Sequence, residues 1–332
     1  MKIPRLLIFS LLIIVLIFSA GCQPISQPAH ISSPPSPVNT VPSSSTASPI
    51  ITTPKPASTT TSPPISTIPT NITPSPSPTQ QLLKVSFIDV GQADCTIIQY
   101  GTSSMLIDAG GNATATALVS KIKNMGITKF DIVIGTHPHE DHIGGMDAVI
   151  NNFNIGAIYM PKVSNTTKTF EDVLLAIQKK GLTITTPIPG VTFTLGQDVQ
   201  CTILAPNSSS YPDLNSFSIV IKMVYGSTSF LFTGDAQSDS EKEMLSKGYD
   251  IKADILKVGH HGSTSSTSPA FLKAVSPKYA VIFVGKDNTY GHPHQVTLDK
   301  LNAAGIKIYR TDLNGTVTFS VTGSNISIST EK

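Results

Sequence analysis

Thr136-His137-Pro138-His139-Glu140-Asp141-His142-Ile143-Gly144-Gly145 places three of the chain's eight histidines within six residues, directly after the apolar run Phe130-Asp131-Ile132-Val133-Ile134. A short apolar run of this kind reads as a buried strand, and the polar cluster as the loop that leaves it. Imidazole nitrogen and carboxylate oxygen are the donors that Zn²⁺ and similar divalent ions prefer. Alternate residues of an irregular turn project the same way, so His137 and His139 point to one ion and Asp141 and His142 to a second. A purely structural purpose for so many titratable groups on one loop is hard to find.

The chain before this loop contains the short β-rich runs Leu82 to Val90, Cys95 to Tyr100 and Ser104 to Gly110, separated by glycine-containing turns. An amphipathic helix over Ala115 to Met125 follows. Beyond the loop the pattern predicts helices near Met146 to Asn152 and Phe170 to Lys180, and strands at Ile155 to Met160, Thr183, Val191 and Val199. One long strand is expected over Phe217 to Gly226 and another over Thr228 to Asp235. The last third alternates helix and strand: helix Ser240 to Lys247, strand ADILKVG, helix Pro269 to Val275, strand YAVIFVG, helix Gln295 to Ala304, then strands IKIYRTD and GTVTFSV. Two β-rich halves, each with helices on the outside, predict an α/β fold built as an αββα four-layer sandwich.

The run THPHEDHIGG resembles the HxHxDH signature of the metallo-β-lactamase superfamily. The likeness extends over Lys84 to Ile328: LIDAGG with Asp108 is similar to the superfamily's first motif, and FLFTGDA with Asp235 to the fourth, whose carboxylate bridges two metals. IDVGQAD, NSFSIVIKM, LKVGHHGS and NTYGHP are closer still to the ComEC-like subgroup, the metallo-β-lactamase-like domains of DNA-uptake proteins. The resemblance implies that His260 or His261 supplies the last ligand to the second metal, with His260 preferred. It implies that Asn215 stands where most members carry a third-motif histidine, since no histidine lies between His142 and His260. It also places His292 beside the substrate, donating to a leaving group or holding an anionic oxygen, and Asp89, Gln92 and Asp94 as turn residues or as partners orienting metal-bound histidines. His294 reads equally as a ligand contact or a helix cap. Two departures, Asn215 and a histidine at position 139 where the subgroup tends to have Asp, imply a first metal site that is weak or empty.

At the other end, residues 1–22 run from basic Lys2 and Arg5 through the apolar stretch Leu6 to Phe18 to Ser19-Ala20-Gly21-Cys22. This reads as a secretory signal ending in a lipobox-like site for acylation of Cys22, too short to span a bilayer of about 20 residues. Residues 23–81 hold 15 of the 25 prolines, with Lys55 their only charge. Such a Pro/Ser/Thr segment buries too little apolar area to offset ordering, and reads as a tether reaching on the order of 150 Å. Residues 82–332 then form the hydrolase domain, held at the envelope outside the cytoplasm and attached to the membrane through Cys22. From Lys84 onward 20 basic residues face 21 acidic ones, which excludes the strongly basic footprint of a dedicated DNA-binding protein. Cys95 and Cys201 sit in alternating apolar stretches and read as buried thiols, with a disulfide between them as the alternative.

Two divalent ions, Zn or Mn, lower the pKa of water and polarise the scissile group. The expected reaction is therefore hydrolysis by a metal-activated hydroxide, with Asp141, Asp235 and His292 as the catalytic side chains. The ComEC-like resemblance implies a phosphodiesterase or nuclease with nucleic acid as its substrate. A lactone, ester or β-lactam hydrolase is the alternative, and a non-catalytic metal-stabilised surface module the second alternative. The sequence leaves the oligomeric state open.

Overall fold

Alternation in the strands explains the layers. In Leu83–Phe87 the residues Leu83, Val85 and Phe87 point to one apolar cluster, while in Lys129–Ile134 Ile132 and Ile134 face that cluster and Val133 faces another. Likewise Phe230 and Phe232 of Thr228–Phe232 turn inward and Leu231 outward. Strands covered on both faces have no need of polar alternation, which is why they appear in the sequence as continuous apolar runs.

A computed structural model describes residues 81–332. The leader, Cys22 and nearly all of the expected tether lie outside the described residues. Two sheets pack face to face. The first has eight strands in the order Asn325–Thr330, Val317–Thr322, Leu83–Phe87, Thr96–Tyr100, Ser103–Ile107, Lys129–Ile134, Asn154–Tyr159 and Ile184–Thr185. The second has seven, in the order Lys307–Arg310, Tyr279–Ile282, Ile255–Lys257, Thr228–Phe232, Val220–Tyr225, Val199–Ala205 and Thr192–Leu195. The central cluster lies between them and is rich in aromatic rings, with Phe87 within 6.1 Å of Phe232, Phe283 and Phe319. Helices Ala115–Asn124, Met146–Asn152 and Lys168–Lys179 cover the outer face of the first sheet, and Ser238–Ser246, Pro269–Val275 and Gln295–Ala303 that of the second. The four-layer αββα arrangement is the one expected.

Helix starts follow local chemistry. The Thr167 hydroxyl accepts from the Phe170 N–H, and Ser268 caps Pro269–Val275, which carries proline in its first turn where no donor is lost. The expected long strand over Phe217 to Gly226 is shorter at its start. Leu214–Phe217 forms a 3₁₀ turn, capped by the Asp213 carboxylate accepting from Asn215 N–H at 2.8 Å, and the strand begins at Val220. Cys95 and Cys201 are both buried free thiols in different apolar clusters, so the disulfide alternative does not occur. Burial pushes the Cys201 thiol up to about 12, which keeps it protonated and inert.

Strands Ser103–Ile107 and Lys129–Ile134 run parallel in one sheet, and Thr228–Phe232, Ile255–Lys257 and Tyr279–Ile282 run parallel in the other. The segments that follow these strands carry Asp108, the histidine loop, Asp235, His260 with His261, and Tyr290 with His292. One edge of the sandwich thereby collects them, at the carboxyl ends of strands where open α/β sheets place their ligands.

Candidate metal centre

The histidine loop is partly helical: His139 is the extended residue before a short helix, Glu140–Ile143. Its close approach to the Ala109 to Asn112 backbone requires glycine. A Cβ at Gly144 would collide with Asn112 N and Glu140 O, and one at Gly145 with Ala109 O. Ala109 N–H in turn donates to His142 O at 2.7 Å, and Asp94 N–H to Asp141 O at 3.0 Å.

Asp108, itself in the left-handed region at φ 58, accepts from Thr136 N–H and Oγ1–H, each at 2.8 Å, and faces His142 Nδ1 at 2.8 Å. That contact holds the outer nitrogen of His142 and turns Nε2 inward, as a carboxylate does behind a metal-binding histidine. His261 is held the same way, Nδ1 to Phe283 O at 3.0 Å. His260 and His261 are consecutive left-handed residues at φ 49 and 53, a strain of about 1–3 kcal/mol each that the packed surroundings enforce. The turn aims His261 into the centre.

The inward atoms form a quartet. His261 Nε2 lies 3.0 Å from Asp141 Oδ2 and 3.5 Å from Asp235 Oδ2, while His142 Nε2 lies 3.8 and 3.3 Å from the same two oxygens. With metal–ligand bonds of roughly 2.0–2.1 Å a tetrahedron has edges of about 3.3 Å, so the spacing suits one divalent ion. His142 Nε2 is moreover buried with no hydrogen-bond partner. A buried nitrogen facing two carboxylates in this way suits a shared cation. Expectation preferred His260 for this role, but the member of the quartet is His261. His260 is half-buried, its Nδ1 tied to Ser265 Oγ at 2.9 Å and its Nε2 3.8 Å from Asp235 Oδ2.

Asp94, His142, Asp235 and His261 also present donor atoms within 4.8 Å of one another. Asp94 nevertheless lies behind the imidazoles, on their Nδ1 side, 3.8 Å from His142 and 3.4 Å from His261, with its Oδ2 2.5 Å from Lys257 Nζ. The Lys257 ammonium has three acceptors for three protons: Asp94 Oδ2, Gly234 O at 2.6 Å and Asp235 Oδ1 at 3.4 Å. Reading motifs alone misses this residue. Its signal is a lone cation inside the apolar strand ADILKVG, immediately before the histidine pair.

A second group of atoms stands beside the quartet. His137 Nε2 and His139 Nδ1 are 2.9 Å apart, and Asn215 Oδ1 is 2.8 Å from the same His139 nitrogen. One proton cannot satisfy both contacts, whereas a cation between them satisfies all three atoms. His137 Nδ1 is held by the hydroxyls of Thr136 and Ser218, each at 3.2 Å. The Leu214–Phe217 turn that shortens the following strand is what carries Asn215 to this point.

Burial and charge act together here. Burial alone would lower His142 and His261, but Asp235 and the neighbouring carboxylates raise both, the same negative field that would favour a bound cation. Burial would raise Asp141 and Asp235, yet His142 and His261 hold both below the ordinary carboxylate range. Burial would lower Lys257, and Asp94 with Asp235 hold it above its usual value. His137 is lowered by burial and by His142. His292 is lowered to about 4 by burial and by His261, His260 and His294, leaving a neutral imidazole near pH 7.

The remaining expected residues divide. Gln92 lines the cavity over the centre and accepts from Gly285 N–H at 2.9 Å, fixing the segment that leads to Tyr290. Asp89 does not reach the centre: it accepts from Gly91 N–H and pairs with Lys332 at 3.0 Å, a turn residue on the carboxyl-terminal strand side. His294 precedes the last long helix, and its Nδ1 accepts from Thr264 N–H at 3.0 Å. The cavity, about 550 Å³, is bordered by His139, Asp141, Asn215, Asp235, His260 and His292.

Residues 88–286 match the metallo-beta-lactamase superfamily. The chain is 32% identical over 254 residues to ComE operon protein 3 of Bacillus subtilis, covering 71% of this chain and 33% of that protein. It is 31% identical over 239 residues to competence protein ComA of Neisseria gonorrhoeae, covering 71% of this chain and 32% of that protein. The chain thus spans about a third of the length of these relatives. Among solved structures, the metallo-beta-lactamase fold protein YhfI from Bacillus subtilis aligns with TM-score 0.49 at 16% identity, over 73% of this chain and all of that one. With its motif loop, its two sheets and its buried donor atoms in one place, this chain belongs to the metallo-beta-lactamase superfamily, close to the ComEC-like branch.

Proposed function

We propose that the chain is a metal-dependent phosphodiesterase that cleaves nucleic acid outside the cytoplasm. The observation that carries this reading is the quartet of Asp141, His142, Asp235 and His261, with one buried nitrogen unpaired, facing an open cavity. The competence names of its relatives favour a nucleic acid over a lactone, ester or β-lactam.

The quartet would hold one divalent ion, zinc or manganese, and His137, His139 and Asn215 a second, weaker one. Such ions supply a more acidic water and polarise a phosphoryl oxygen. The chain's own groups do the rest. Asp108 and Phe283 O fix the two inner imidazoles so that no reorganisation accompanies the reaction. Lys257 keeps Asp94 and Asp235 in place. His292, neutral near pH 7, offers a hydrogen bond to an anionic oxygen rather than acting as a strong acid. Among the described residues no helix is long and apolar enough to cross a membrane, and on this reading Cys22 carries the lipid that holds the enzyme at the envelope.

The test uses the purified full chain. Bound divalent ion by elemental analysis, with cleavage of a fluorescent oligonucleotide that EDTA abolishes and Mn²⁺ or Zn²⁺ restores, is the expected result. Turnover of an ester or lactam panel without nucleic-acid cleavage would establish the other hydrolase reading. Bound metal without any turnover would leave a binding module.

A further inference from the structure

We infer that Tyr290 is a stacking platform for a nucleobase of a single-stranded substrate, set beside the phosphate-cleaving centre. The inference rests on the phosphodiesterase reading and names its substrate class.

Tyr290 is 67% exposed and is the one exposed aromatic ring among the described residues, although it borders the cavity over the centre. Its ring stacks on His292 at 5.7 Å with planes 16° apart, and His292 stacks on His261 at 6.1 Å and 22°. Three nearly parallel rings therefore lead from the quartet to solvent. The outermost is two-thirds in solvent. Asn288 keeps the loop in this shape: its amide donates to Gly285 O at 3.1 Å and His292 O at 2.7 Å, and its oxygen accepts from His292 N–H at 3.0 Å.

A flat, uncharged platform answers a requirement of this domain. With 20 basic against 21 acidic residues from Lys84 onward, counterion release gives a bound strand little affinity, and contacts to bases must supply it. Aromatic stacking does so without reading sequence, because every base presents a π-face. Two ring spacings put the stacked base within a few nucleotides of a phosphate at the quartet. A duplex keeps its bases stacked on one another and has none to offer, so the platform selects single strands.

The experiment compares kcat/KM of the metal-loaded full chain on a single-stranded oligonucleotide and on the same strand with abasic sites throughout. Wild type is expected to prefer the strand with bases by about tenfold or more, mainly in KM, Tyr290→Ala to abolish the preference, and Tyr290→Phe to keep it. A preference unchanged in Tyr290→Ala, or absent from wild type while both strands are cleaved, overturns the platform and leaves the phosphodiesterase reading standing. Cleavage of neither strand by wild type overturns that reading itself.

Discussion

On one side of the centre, Asp141, His142, Asp235 and His261 converge, with His142, His261 and Asp235 tied from behind by Asp108, Phe283 O and Lys257; on the other, His137 and His139 meet an amide oxygen, with His139 partly exposed. The first side combines two carboxylates with two imidazoles, the second two imidazoles with a neutral Asn215. Formal charge at the donors decides how strongly a cation is held, and rigidity decides how little is lost in ordering them. A single sandwich edge thus carries one charged, largely buried donor set and, beside it, one neutral and more exposed set.

The largest effect is expected from Asp235→Asn. Removing the carboxylate that faces both His142 and His261 should lower oligonucleotide cleavage about 1000-fold, the upper range for loss of one electrostatic contact in a transition state. Lys257→Met attacks the support instead. Leaving Asp94 buried without its cation should cost about 3–5 kcal/mol in urea unfolding, and adding Asp94→Leu should restore most of it, because an apolar pair has no charge to desolvate. If Lys257→Met unfolds at the wild-type midpoint, the support role is wrong.

Asp108→Asn, behind His142, should weaken the tighter calorimetric binding of zinc about 10–100-fold. Asn215→His should tighten the weaker binding and move the stoichiometry toward two, and an unchanged isotherm would mean that this side holds no ion. Far from both sides, Glu331 accepts from Thr316 and pairs with Lys121 at 3.1 Å, contacts that hold its carboxyl at about 2. Because the folded value lies below the unfolded one, near 4.3, its contribution is present above that pH and disappears as pH falls toward 2. Glu331→Gln should therefore cost at most about 1 kcal/mol at pH 7 and nothing at the acid end, since half of this side chain is in solvent.

Much of the centre is legible in the sequence because its donors sit in short motifs. His137, His139, Asp141 and His142 are four of six consecutive residues, and Asp108 and Asp235 end apolar strands. Less legible is the choice within His260-His261. Both follow the same strand, and only two successive left-handed residues decide that His261 faces the quartet. Asp89 and Asp94 are indistinguishable in DVGQAD, yet one pairs with Lys332 at the surface and the other with buried Lys257. Lys257 itself looks like a polar interruption of a strand.

The layers are written in the chain, because apolar periodicity and strand length decide which faces must be buried, and so are the donor types, because ligand chemistry belongs to residue identity. Which nitrogen faces inward, which carboxylate stands in front and which behind, and where Tyr290 opens to solvent follow from the packing of distant segments. Those are contacts between segments more than a hundred residues apart, such as His261 with Asp141, and their geometry is set by how two sheets meet rather than by any local stretch of chain.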